Sequence, residues 1–172
     1  MSSYHRTYIK GGCYFFTLVT WKRTPIFNKP EHIDLLRRSF TKVQQTRPFH
    51  IDAIVILPNH LHCILRLPEG DSDYSSRWKE IKKYVSKRIS KKHNKNNENL
   101  IWQRRFWEHL IRDENDWKRH MDYIHYNPVK HDYVNKPSLW KASSFLNCVE
   151  KGWYDKNWGQ DISDTIKNMN LE

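Results

Sequence analysis

The stretch Leu57-Pro58-Asn59-His60-Leu61-His62-Cys63-Ile64-Leu65 decides how this chain folds. Pro58-Asn59 is a tight-turn signal between two apolar runs, residues 49–57 and 60–67, which are therefore predicted to pair as antiparallel strands. Side chains alternate across a strand, so His60 and His62 point to one face and Leu61, Cys63 and Leu65 to the other. The apolar set can enter a core. The two imidazoles then stand side by side, and neutral imidazole is a common metal ligand. A His-x-His alone is more often a half-exposed strand than a metal site. What changes the odds lies further along, in Tyr123-Ile124-His125-Tyr126-Asn127-Pro128-Val129.

Working outward, residues 1–12 form a basic arm carrying Arg6 and Lys10 and ending in Gly11-Gly12. Residues 13–21 are aromatic and β-branched and predict a strand, apolar enough to be covered on both faces. Pro30 suits the first turn of a helix over 31–46, where Ile33, Leu36, Phe40 and Val43 recur at helical spacing. Arg47-Pro48 ends it. Ser72 or Asp73 can cap a second helix with Trp78, Ile81, Val85 and Ile89 as its stripe. Arg77, Lys79, Lys82, Lys83, Lys87, Arg88, Lys91 and Lys92 surround that stripe, a density of cations that favours phosphate contact over a merely solvated face. Residues 93–99 read as a loop and 106–112 as a short strand. Asp113 caps a third helix with Trp117, Met121 and Ile124 facing the core, and Pro128 is expected to stop it. Residues 130–172 read as a loop-rich tail anchored by Trp140, Trp153 and Trp158, weakly ordered after Gly159.

The first six elements spell βαββαβ, the split-βαβ or ferredoxin-like plan. The expectation is a single α+β domain over 1–172. Two helices cover one face of an antiparallel sheet, and the additional C-terminal helix, which carries the tyrosine, covers the face of His60 and His62.

The totals narrow the function. Thirty Lys and Arg against nineteen Asp and Glu give a formal charge of +11 over 172 residues, with a pI of about 9.6. That is the footprint of a polyanion binder, and 14% aromatic residues supply stacking surfaces for bases. Three widely spaced cysteines without a Cys-x-x-Cys pair argue against a zinc finger. An odd cysteine count without a signal peptide fits a reducing cytoplasm. No apolar run approaches the length of a membrane span, so no membrane partner is expected.

Tyr123 and Asn127 are four apart and share a helix face, whereas Tyr126 is rotated away from Asn127. An amide oxygen beside two imidazoles makes a mixed site with open positions, suited to Mg²⁺ or Mn²⁺ bridging to phosphate oxygens and ill suited to structural zinc. A phenol of pKa ~10 is a weak nucleophile at neutral pH. A metal that polarises the phosphoryl group makes its attack feasible.

His60-Leu61-His62 matches the His-hydrophobic-His motif of single-tyrosine transposases and relaxases. With Gly11-Gly12-Cys13-Tyr14-Phe15-Phe16-Thr17, Leu57-Pro58-Asn59, Trp102-Gln103, Phe106-Trp107, the Tyr123–Val129 stretch and Gly152-Trp153-Tyr154, the chain resembles the REP-associated tyrosine transposases. The resemblance implies that His60 and His62 bind the metal, that Asn127 completes the site, and that Tyr123 is the nucleophile. It implies binding of DNA hairpins from repetitive extragenic palindromes and cleavage of flanking single strands through a 5′-phosphotyrosine. It also implies a bacterial, nucleoid-associated protein acting as a monomer or homodimer. DNA affinity is expected from Arg6, Lys10, Lys82, Lys83 and Lys87. Two other readings stand beside this one, a relaxase- or replication-initiator-like nickase and a non-catalytic, domesticated hairpin-binding protein.

Overall fold

Pro58 and Asn59 make the turn between β2 (His50–Leu57) and β3 (His60–Arg66), with Leu57 paired to His60. The computed structural model describes residues 6–89 and 101–172. The backbone carbonyl of Asn59 accepts from the Thr20 amide at 2.9 Å, which ties the turn to the end of β1 (Cys13–Val19). β1 lies antiparallel to β3 on one side and to β4 (Trp107–Leu110) on the other, giving the strand order β2-β3-β1-β4. This is the four-stranded antiparallel sheet of the ferredoxin-like plan.

Strand alternation sorts the residues into two cores. Tyr14, Phe16, Leu18, Leu61, Cys63 and Leu65 face α1 (Pro30–Thr46) and α2 (Tyr74–Ile89), where Leu36, Phe40, Trp78 and Ile81 meet them. Phe15, Ala53, Val55 and Ile64 face α3 (Glu114–Lys130), where Met121, Tyr123 and Ile124 meet them. Each fully buried side chain of this size contributes roughly 1.5–3 kcal/mol relative to exposure. Pro30 sits in the first turn of α1, where its missing N–H costs nothing. Asp73 caps α2 by accepting from the Ser76 amide at 2.9 Å, and Asp113 caps α3 by accepting from the Asp116 amide at 2.8 Å. Gly11, at φ +66, and Gly12 deliver the chain into β1, and a Cβ at Gly12 would lie 2.5 Å from the Tyr14 ring.

Four expectations change. β1 ends at Val19 because Lys22 and Arg23 adopt left-handed φ values of 51 and 53. β4 is shorter than the predicted 106–112. Pro128 does not stop α3, which runs on to Lys130. It removes a single bond in the last turn, and the His131 and Tyr133 amides still donate to Asn127 and Pro128 carbonyls. The stretch beyond Val129 is not only loop: it forms α4 (Phe145–Glu150) and α5 (Asp164–Lys167), burying Phe145, Cys148, Ile162 and Ile166. The predicted loop 93–99, with Lys91 and Lys92, lies outside the described residues. No described helix is long and apolar enough to cross a membrane.

His125 joins α3 to α4 and β2. Its Nε2 lies 2.9 Å from Ser144 Oγ, and that hydroxyl oxygen also accepts from the Ile54 amide at 2.9 Å. Burial pushes the imidazole down to about 3 from 6.5. Between those values the unfolded chain binds the proton and the folded chain does not, so His125 erodes stability as pH falls from about 6.5 toward 3. In thermal denaturation followed over that range, His125→Gln is expected to show a shallower loss of Tm than wild type. An unchanged slope would mean that other groups carry the acid sensitivity.

Candidate metal and nucleophile site

His60 opens β3 and His62 follows on the same face, both at most 1% exposed. Each imidazole has one nitrogen fixed by a neighbour. Asn59 Oδ1 accepts from His60 Nδ1 at 2.6 Å. Thr17 Oγ1 donates its one proton to the Leu171 carbonyl at 2.7 Å, so its lone pair accepts from His62 Nδ1–H at 2.8 Å. Both rings therefore present Nε2 as a bare lone pair, and both Nε2 atoms are buried without a hydrogen-bond partner among the described residues. This is the tautomer that metal ligation requires.

One turn beyond Tyr123, Asn127 is fully buried, and among the described residues neither Oδ1 nor Nδ2 of its amide makes a well-formed hydrogen bond, although the amide lies close enough to His60 and Tyr123 to favour the charged form of each. Buried unsatisfied polar atoms each cost about 1–3 kcal/mol, so native structures contain few. Four of them gather beside the buried Tyr123. The donor set of two imidazoles and an amide oxygen fits a divalent ion that also holds phosphate oxygens.

Tyr123 is 1% exposed, with its ring 5.2 Å from that of His62. Burial pushes its phenol up to about 12, partly opposed by the Leu171 amide, which donates to the hydroxyl at 3.3 Å. Burial also pushes His60 down to about 4 and His62 well below 6.5, so both are neutral at physiological pH. Tyr126 lies outside this group and packs beside Gly159.

The residues sequence reasoning missed are in the last segment. Leu171 touches Thr17 and Tyr123, and Glu172 Oε1 accepts from His131 Nε2 at 2.6 Å. The same oxygen lies 3.7 Å from His60 Nε2, and Oε2 lies 3.6 Å from Arg23 Nη1. Lys130 Nζ, 5.0 Å from the Tyr123 ring centroid, donates to the Met169 carbonyl. This segment lies across His60, Thr17 and Tyr123. Its one sequence signal is the apolar Ile162, Ile166 and Leu171 among polar neighbours.

The five basic residues singled out for DNA divide in two. Arg6 is engaged internally: it donates to Ser75 Oγ, lies 3.8 Å from Glu108 and covers the Phe106 ring at 4.0 Å. Lys82 is half-buried, pushed down to about 8 by partial burial, and donates to the Gln103 and Arg104 carbonyls. Lys10, Lys83 and Lys87 are exposed. Lys83 and Lys87 border a cavity of about 430 Å³ between α1 and α2, with Lys42 and Arg88 beside them. That is the face of the sheet opposite His60 and His62.

The family described as "Transposase IS200 like" matches residues 9–127. A REP-associated tyrosine transposase of Escherichia coli (strain K12) is 46% identical over 164 residues, covering 95% of this chain and 94% of that protein. A relative from Haemophilus influenzae is 43% identical over 174 residues, covering 97% of this chain and 98% of its own length. A solved REP-associated tyrosine transposase bound to a REP hairpin superposes with a TM-score of 0.82 at 45% identity, over 95% of this chain and 94% of that one. Fold and match together make the chain an IS200-like transposase. Within that class it belongs to the REP-associated tyrosine transposase family, whose wider His-hydrophobic-His group works with divalent metal.

Glu172 joins His131 to Arg23 in front of His60, so Glu172→Gln loosens the segment. The lost interaction is worth ~0.5–1.5 kcal/mol, which corresponds to an increase of roughly two- to tenfold in the initial rate of strand cleavage. Equal rates for wild type and variant would show that the segment does not obstruct the site.

Proposed function

We propose that the protein cleaves and rejoins single-stranded DNA beside REP-type hairpins, with Tyr123 as nucleophile. The observation that carries this reading is the set of four orphaned polar atoms, on His60, His62 and Asn127, packed against the one buried tyrosine of α3. A divalent ion, Mg²⁺ or Mn²⁺, held by the two Nε2 atoms and Asn127 Oδ1 would polarise the scissile phosphate and offset its developing charge.

Tyr123 is positioned to attack phosphorus once Leu171 and Glu172 have withdrawn. The phenolic oxygen forms the bond to phosphorus, and the bond from phosphorus to the leaving 3′ oxygen breaks. The phenol releases its proton to solvent, and the leaving oxygen takes one up as a 3′-hydroxyl. The product is a 5′-phosphotyrosine ester, which keeps the phosphodiester energy for rejoining. Lys130, on the same helix face as Tyr123 and Asn127, places a cation near the ring and favours the phenolate. Asn59 and Thr17 keep the two imidazoles oriented.

Affinity for the hairpin is assigned to exposed cations, Lys10, Lys83 and Lys87 among them, because phosphate neutralisation supplies most sequence-independent binding. The chain forms one domain over 1–172, and the family's hairpin substrate is taken to be its own. The non-catalytic reading gains nothing from a buried ligand set with no structural partner.

The decisive experiment incubates labelled single-stranded hairpin DNA with the protein and Mn²⁺ and looks for a covalent adduct. Tyr123→Phe removes one oxygen and keeps the ring, so hairpin binding survives while adduct and cleavage vanish. Tyr126→Phe still forms the adduct. Peptide mapping of trapped adduct to Tyr126, or cleavage by Tyr123→Phe, would overturn the assignment. His60→Ala and His62→Ala are each expected to abolish cleavage with hairpin affinity nearly intact. For binding itself, replacing Lys83 and Lys87 by Ala should flatten the dependence of log K on log salt by about one unit for each of these lysines that neutralises a phosphate. An unchanged slope would return those lysines to ordinary surface.

A further inference from the structure

Next to the ligands lies a cavity of about 320 Å³, walled by Thr17, Val19, Gln103, Arg105 and Trp107, with Glu172 at its mouth. Its wall comes from the edge of the sheet. Trp107 opens β4 and pairs with Thr17 on β1, the residue that also orients His62. Its indole is 37% exposed and meets the Phe15 ring edge-on at 5.7 Å, and His109 stacks behind it at 6.0 Å. The indole is thus braced from behind while part of it stays open. Arg105 is exposed and makes no hydrogen bond or ion pair among the described residues. The Gln103 amide is tied to the Val19 carbonyl at 2.9 Å, and Lys82 holds the Gln103 and Arg104 carbonyls from beneath. The wall is therefore rigid before anything binds.

Glu172 belongs both to this cavity and to the surroundings of His60. Glu172 lines it and also reaches His60, His131 and Arg23. Withdrawal of Glu172 would open the cavity toward His60. Thr17, part of the cavity wall, also contacts His62, so a strand with its phosphate beside His62 passes that wall.

We propose that this cavity is a base pocket, in which one unpaired nucleobase adjacent to the scissile phosphate stacks on Trp107 while Arg105 faces the strand's phosphate. An aromatic face beside a free cation is the usual platform for single-stranded nucleic acid. Position makes it selective for the cleaved strand, because the exposed lysines between α1 and α2 lie on the opposite face of the sheet. The proposal rests on the strand-cleavage reading above. It also assigns Lys82 a role, as the residue that positions the pocket wall rather than a phosphate contact.

The test uses the full chain and a REP-type DNA hairpin with a single-stranded extension, scanned with 2-aminopurine and with abasic residues one position at a time. Wild type is expected to quench 2-aminopurine at one position beside the cleavage point, and an abasic residue there should weaken binding of the extension about tenfold. In Trp107→Ala the quench and the abasic penalty both disappear, while affinity for the hairpin without extension is unchanged. Trp107→Phe restores most of both. Arg105→Gln, an exposed change that leaves the fold intact, should weaken binding of the extended hairpin but not of the bare one. A flat abasic scan on wild type, or a penalty that persists in Trp107→Ala, would overturn the pocket. Binding is read without cleavage, so the outcomes separate: a flat scan with a normal tyrosine adduct removes only the pocket. A positioned quench without any adduct keeps the pocket and removes the cleavage reading.

Discussion

A slip of one residue in the pairing of β2 with β3 would drive His60 and His62 into the core beneath α1 and α2, and Leu61, Cys63 and Leu65 onto the face of α3. Strand alternation makes the two outcomes mutually exclusive. The register is held at the turn, where Asn59 does two things at once. Its backbone carbonyl takes the Thr20 amide, which fixes the turn against β1. Its side chain takes the proton-bearing nitrogen of His60, which fixes the ring and leaves Nε2 bare. The same few atoms that set the fold also set the protonation of a proposed ligand. The sheet then divides the work, with exposed lysines on the α1–α2 side and the orphaned polar atoms on the α3 side.

Much of this was legible because it is written in short-range periodicity. Alternation in β3 gives the faces, and the four-residue spacing of Tyr123 and Asn127 gives the helix stripe that meets them. The antiparallel sheet follows from the order of elements. What failed to show was decided by contacts distant in sequence. Lys82 looks like its neighbours Lys83 and Lys87 in a run of cations, yet only the tertiary fold brings the Gln103 and Arg104 carbonyls to its ammonium. Arg6 looks like a free arm residue until β4 places Glu108 and Phe106 beside it. Thr17 reads as one more β-branched strand residue, and nothing local announces that it orients His62.

The final segment was hardest to read for the same reason. Its composition is polar, and no periodic stripe predicts a partner. Its order comes from complementarity with a site assembled by other elements. Glu172 meets the cationic and imidazole groups of Arg23, His60 and His131, and the backbone of Leu171 satisfies Thr17 and the Tyr123 hydroxyl. Thr17 and Tyr123 would otherwise stand open to an incoming strand, so the segment occupies the space that a strand needs.

This arrangement would keep the proposed nucleophile, Tyr123, silent. Burial pushes the Tyr123 phenol up to about 12, so almost none of it is phenolate at neutral pH, and the Leu171 amide opposes that shift only in part. Burial also leaves the two imidazoles neutral, so they bring no positive charge to the phenol. In the proposed reaction a single event reverses both conditions. Withdrawal of Leu171 and Glu172 would make room for the strand's phosphate, and a divalent ion held by His60, His62 and Asn127 would supply positive charge near the phenolic oxygen. On that reading a divalent ion at His60, His62 and Asn127 would compensate those buried polar atoms, and a rise in pH toward neutrality alone would not activate Tyr123.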